Sequence, residues 1–194
     1  MFSSIFHLIT GGWAVGLLLT GLDAKGLQII EEDYYSNSKG RGHFSIINVT
    51  KTLRYRPSYR NVLCYRVNNY PNRPRMIFCK YVLFNIFFPT LTTIEITGDI
   101  AGGIRVNHNY AVISPQRAGR NLIVQQGAVI GGDKKTKENV KPVLGNDVFV
   151  GANAVILGNI FIGDNVRIGA LSFVNCNVPD NSTVVGNPCR IISR

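Results

Sequence analysis

Residues 94–132 read IEITGD IAGGIR VNHNYA VISPQR AGRNLI VQQGAV IGG, and after a polar interruption residues 144–179 read LGNDVF VGANAV ILGNIF IGDNVR IGALSF VNCNVP. The block openers are Ile94, Ile100, Val106, Val112, Ala118, Val124 and Ile130, then Leu144, Val150, Ile156, Ile162, Ile168 and Val174, and all are apolar. In a chain that is 45% hydrophobic, so long a run in step marks a structural period rather than composition. A period of six matches neither a 3.6-residue helix nor simple strand alternation. It fits a solenoid in which a short rung points one aliphatic side chain inward and then turns a corner. The fourth residue after most openers is compact and apolar too, as at Ile104, Leu122, Ala128, Val148, Ala154, Ile160, Val166 and Val178. Gly, Asn and Asp beside the openers, as in Ile162-Gly163-Asp164-Asn165, suit tight corners. Three hexads make a triangular coil of eighteen residues.

The chain has 194 residues, enough for one substantial domain and a smaller appendage. We read residues 1–93 as a helical lead-in and 94–194 as the solenoid domain, with a polar loop over 131–143 expelled from it. Within the lead-in, Ser45 to Tyr70 is predicted helical with a break at Pro57, and Tyr59, Val62, Leu63 and Val67 share one face. Met76 to Phe88 is predicted as a second, apolar helix. Phe2 to Leu22 has no charged residue and is long enough to span a bilayer. Its glycines at 11, 12, 16 and 21 make it a poor spanning helix, and no basic region precedes it as in a signal peptide. A packing or oligomer-forming helix is the leading reading, and Gly12-x-x-x-Gly16 permits close contact.

The net charge is +10, and between Asp33 and Glu95 ten Lys or Arg occur without one acidic residue. That basic window is either a solvated face or an attraction to anionic membrane or a charged acceptor, giving possible peripheral association with a membrane. Nucleic acid is not expected as a partner, because no recognised binding motif accompanies the charge. The four cysteines, Cys64, Cys79, Cys176 and Cys189, form no CxxC pair and no disulfide-like spacing. Buried thiols in a reducing cytoplasm are expected.

Three further patterns carry chemistry. His108, in GGIRVNHNYAVI, is the only histidine of the solenoid; Gln126 follows eighteen residues later in a Gln-Gly pair; and the block from Leu144 ends in Gly186-Asn187-Pro188-Cys189-Arg190. With the hexads, these features make residues 61–194 resemble the left-handed β-helix acyltransferases with hexapeptide repeats, in their serine acetyltransferase-like branch. The resemblance implies a mainly β fold, a left-handed parallel β-helix after an α-helical region, working as a homotrimer with its sites between prisms. It makes His108 the general base, which takes the proton of a hydroxyl as that hydroxyl attacks the acetyl thioester. Glu95 stands where the family has an orienting Asp, two residues closer to the histidine than usual, and Asp99 competes for that role. Gln126 positions the acceptor. Lys134, Lys135 and Lys137 in the expelled loop offer cations to the phosphates of acetyl-CoA, with close backbone access at Gly132. Ala152, Ala170, Pro188 and Arg190 match the family's coenzyme-binding end. No metal is expected: zinc enzymes on this fold need several histidines.

For the acceptor, the resemblance is read against serine. Where serine acetyltransferases have an Asp before the histidine and an Arg-His pair before a proline, this chain has Asn107 and Val140-Lys141. The segment His108-Asn109-Tyr110-Ala111-Val112 resembles capsule and exopolysaccharide O-acetyltransferases of the colanic-acid type. We therefore expect transfer of an acetyl group to a sugar hydroxyl in polysaccharide biosynthesis, with Asn107, Tyr110, Gln126 and Lys141 contacting the acceptor. Serine O-acetylation is the alternative.

Overall fold

The computed structural model describes residues 2–70, 74–133 and 140–193. The chain forms two compact units, Met1–Leu91 and Thr92–Arg194.

The first unit is helical: α1 (Phe2–Leu19), α2 (Ala24–Ser38), α3 (Ile46–Tyr55), α4 (Pro57–Asn68) and α5 (Pro74–Val82), which continues into a π turn at Leu83–Phe87. Asp23 caps α2 by accepting from the Gly26 N–H at 2.7 Å, and Ser45 caps α3 by accepting from Asn48. α3 stops because the residue before a proline is pushed out of the helical region, and Arg56 sits at φ −128°, ψ 86°. Pro57 then starts α4, where its missing N–H costs nothing. Tyr59, Val62, Leu63 and Val67 are all buried, as their spacing predicts. The sequence did not reveal α2. Its buried stripe is Ile30, Asp33, Tyr34 and Asn37, so polar residues occupy half of the helical pattern. Asp33 is tolerated inside because Arg66 pairs with it at 2.7 Å. In α1, Gly12 and Gly16 face Thr50 and Ile46 of α3, so the close-contact reading of that spacing is met inside this unit. No helix among the described residues is long and apolar enough to cross a membrane.

The second unit is a left-handed parallel β-helix of five coils with three flat faces. Face A holds β1 (Ile94–Ile96), β4 (Ala111–Ile113), β7 (Val129–Gly131), β10 (Val155–Leu157) and β13 (Phe173–Val174). Face B holds β2 (Asp99–Ile100), β5 (Arg117–Ala118), β8 (Val143–Leu144) and β11 (Phe161–Ile162). Face C holds β3 (Arg105–Val106), β6 (Ile123–Val124), β9 (Phe149–Val150), β12 (Arg167–Ile168) and β14 (Ser182–Val185), closed by the antiparallel β15 (Arg190–Ser193). Coils stack residue on residue eighteen apart, as Ile100 on Ala118 and Val106 on Val124. Across the expelled loop the same columns continue at a spacing of 26, Ala118 on Leu144 and Val124 on Val150. The openers Val106, Val124, Ile130, Val150, Ile156, Ile162, Ile168 and Val174 are 0% exposed. Each such side chain contributes about 1.5–3 kcal/mol by leaving water, so the column of openers is the core of this unit.

Two expectations are corrected here. Val112 does not point inward: it is 38% exposed, while Ala111 and Ile113 on either side are buried. The corner before it contains one residue more than the regular corners and the next contains one fewer. The chain thus runs Val106, Ile113, Ala118 instead of keeping six at each step. The loop also leaves the prism slightly later and returns slightly earlier than read, since Gly131 belongs to β7 and Val143 to β8.

Candidate active site

The corners leading from face C to face A stack into one edge of the prism. Three follow one rule, with three residues between inward side chains: Gln125-Gln126-Gly127, Gly151-Ala152-Asn153 and Gly169-Ala170-Leu171. In each the third residue adopts a left-handed backbone, with φ of 71° at Gly127, 55° at Asn153 and 60° at Leu171. Backbone hydrogen bonds tie them into a ladder, from Asn153 N–H to Gln126 O at 2.9 Å and from Leu171 N–H to Ala152 O at 2.9 Å.

The lowest corner of that edge departs from the rule. Four residues, Asn107-His108-Asn109-Tyr110, separate the buried Val106 and Ala111. Two of them are left-handed, His108 at φ 64° and Tyr110 at φ 62°, a conformation that costs a non-glycine residue roughly 1–3 kcal/mol. Asn107 is half-buried, and His108, Asn109 and Tyr110 are exposed. Tyr110 still joins the ladder, its carbonyl accepting from Gly127 N–H at 2.5 Å. His108 lies exposed at this longer corner.

Counted from the Val106–Val124 pair, Gln126 stands over His108; counted back from Ile113–Ile130, it stands over Asn109. The inserted residue accounts for the difference. Glu95 points outward from the middle of β1 on face A, in register with Val112 in the coil above. It therefore lies on the face that the His108 corner opens onto. Asp99 starts β2 on face B, beside Arg117, at the far end of the face A strand. Among the described residues no side-chain hydrogen bond joins His108 to either carboxylate. Ala152 and Ala170 sit on the same edge as His108, and Gly186 accepts from Phe173 N–H, bringing the turn that carries Pro188 and Arg190 to its upper end.

Two candidates lie elsewhere in the chain. Gly132 and Lys141 are at the edge between faces A and B, four strand residues past Tyr110, roughly 13 Å at about 3.3 Å per residue. There the Lys141 ammonium donates to Ser114 Oγ at 2.6 Å, and Ser114 Oγ shares a 2.6 Å hydrogen bond with Thr97 Oγ1. Sequence reading missed Ser114 and Thr97 because they are seventeen apart, matching the β1–β4 register and not the eighteen of the hexads. Lys134, Lys135 and Lys137 lie outside the described residues.

The thiols also differ from expectation. Cys176 is exposed, Cys64 and Cys189 are half-buried, and the sulfurs of Cys176 and Cys189 are 3.7 Å apart. No group of His, Cys, Asp or Glu among the described residues is arranged to hold a metal.

A family model for the bacterial transferase hexapeptide, six repeats, matches residues 141–176. Over 151 residues the chain is 36% identical to the serine acetyltransferase of Synechococcus elongatus, covering 76% of this chain and 62% of that one. Over 150 residues it is 32% identical to the serine acetyltransferase of Helicobacter pylori, covering 76% of this chain and 88% of that one. The soybean serine acetyltransferase apoenzyme superposes with a TM-score of 0.62 at 26% identity, over 88% of this chain and 70% of that one. This chain belongs to the hexapeptide-repeat acyltransferases and is an acyltransferase. The expected sugar acceptor is overturned: these relatives are serine acetyltransferases, not polysaccharide O-acetyltransferases. The departures at Asn107 and Val140-Lys141 do not outweigh this kinship with proteins named for serine.

Proposed function

We propose that this chain is an acetyl-CoA-dependent serine O-acetyltransferase with His108 as its general base. What carries the reading is that the one irregular corner of this edge, with left-handed backbone at two of its four residues, falls on the one histidine of the solenoid. The acceptor comes from kinship with serine acetyltransferases, and a soybean relative of similar fold, at 25% identity and a TM-score of 0.62, is described as complexed with serine.

The imidazole of His108 takes the proton from the serine hydroxyl as its oxygen bonds to the thioester carbon. When the C–S bond breaks, the imidazolium returns that proton to the departing thiolate, giving O-acetylserine and free coenzyme A. Glu95 orients the imidazole and stabilises its cation. Gln126, Asn107 and Tyr110 position the acceptor. Lys141 supplies the cation for the serine carboxylate, the task that an Arg-His pair performs at the matching positions of the family. Ala152 and Ala170, with the turn at Pro188 and Arg190, form the floor for acetyl-CoA, and the backbone of Gly132 and the charges of Lys134 and Lys135 are assigned to its phosphates.

Within one chain Lys141 and His108 stand at opposite ends of face A. They share a site when a second copy sets its Lys141 edge against this His108 edge, which a homotrimer provides. The test is thiol release from acetyl-CoA with L-serine present or absent, with O-acetyl-L-serine identified by mass. Serine-dependent release supports the reading; turnover that ignores serine overturns the acceptor.

A further inference from the structure

The reaction makes no use of the basic window between Asp33 and Glu95. In the helical unit, four of its cations, Lys39, Arg41, Lys51 and Arg56, line one cavity of about 230 Å³ together with Ser38, Thr52 and Tyr55. No carboxylate lines it. The ends of α2 and α3 border the cavity, and each helix C-terminus carries roughly half a unit of negative charge. Lys39 closes α2 and Arg56 closes α3, so these two cations have a structural reason to be there. Two helix ends offset only about one unit of the four positive charges, leaving about three. Lys39, Arg41 and Lys51 have no carboxylate partner among the described residues.

The geometry points to a phosphoryl-binding site in this cavity. A phosphomonoester carries about 1.5–2 negative charges at neutral pH, fewer than the excess of cations around the cavity, so the site stays cationic when filled. The volume lies below the roughly 300–1,000 Å³ of pockets for drug-sized ligands, so it suits one compact anionic head rather than a whole nucleotide. The hydroxyls are engaged: Thr52 donates to Asn48 O at 2.8 Å and Ser38 to Tyr35 O at 3.3 Å. Recognition therefore falls to the cations, and binding is salt-sensitive. Tyr55, one helical turn from Lys51 and 76% exposed, stands at the rim where the organic part of a phosphomonoester would emerge.

Inorganic phosphate titrated into the full chain, followed by calorimetry and thermal melting against chloride at matched ionic strength, tests the site. Flotation with phosphatidic acid vesicles against phosphatidylcholine vesicles is the second arm. Saturable phosphate binding that weakens at least tenfold in both Lys51→Glu and Arg41→Gln, with acetyl transfer unchanged, supports a soluble phosphorylated ligand. Vesicle binding without phosphate binding, lost in the same variants, supports the site with a lipid headgroup as its source. No saturable response in either arm, or a response that survives both substitutions, overturns it.

Discussion

The edge between faces C and A contains two kinds of corner, and under the proposed function their contrast separates what folds this protein from what it does. The three upper corners have three residues each, one left-handed φ, and backbone laid directly on backbone. The His108 corner has four residues and two left-handed φ, neither at glycine. Regular corners propagate the prism. The irregular one carries left-handed backbone at His108 and Tyr110, and Val106 and Ala111 anchor both its ends in the core.

Removing the irregularity should do the most damage to turnover. Deleting Asn109 gives the lowest corner the regular length. We expect acetyl transfer to fall at least about 100-fold, since small misplacements of a reacting group cost that much, while the melting temperature holds; an active deletion variant would contradict the contrast. The reverse experiment disturbs a regular corner. A Cβ at Gly151 would lie 2.5 Å from the Ala170 nitrogen and 2.7 Å from the Gly169 carbonyl carbon. Gly151→Ala should therefore cost about 1–3 kcal/mol in denaturant unfolding, and a neutral result would mean the coils are not in backbone contact there. Glu95→Gln keeps the shape and removes the charge. A loss of about tenfold in kcat/KM, about 1.4 kcal/mol, is expected, and an unchanged rate would remove Glu95 from the site. The smallest effect on stability belongs to Tyr110→Gly. The ring is 69% exposed, so relief of the left-handed backbone should leave stability unchanged or up to about 1 kcal/mol higher; a clear loss would show that the ring packs in the full assembly.

The solenoid was legible because its rungs are so short that each contributes one inward residue, and the period of six is that residue written out. Val112 was misread for the same reason: a residue gained before it and one lost after it cancel in the count, so the period resumes at Ala118 as if nothing had happened. α2 was hidden because its buried stripe includes Asp33 and Asn37, which belong inside only once Arg66 is known to reach Asp33. The position of His108 on the edge between faces C and A could be read from spacing, whereas its role as general base rests on the family resemblance. The Thr97–Ser114–Lys141 chain could not be read from spacing, because it depends on a register of seventeen. The acceptor was not legible: the expectation of a sugar rested on Asn107, on Val140-Lys141 and on the likeness of His108–Val112 to capsule O-acetyltransferases, and kinship along the whole solenoid with serine acetyltransferases outweighs these few positions.

The central claim is that the His108 corner performs the chemistry. Its most direct test is the rate of L-serine-dependent thiol release by wild type and His108→Ala, measured side by side with their melting temperatures. The account predicts a loss of about 10²–10⁴ in rate with the fold intact, and equal rates from the two proteins would contradict it.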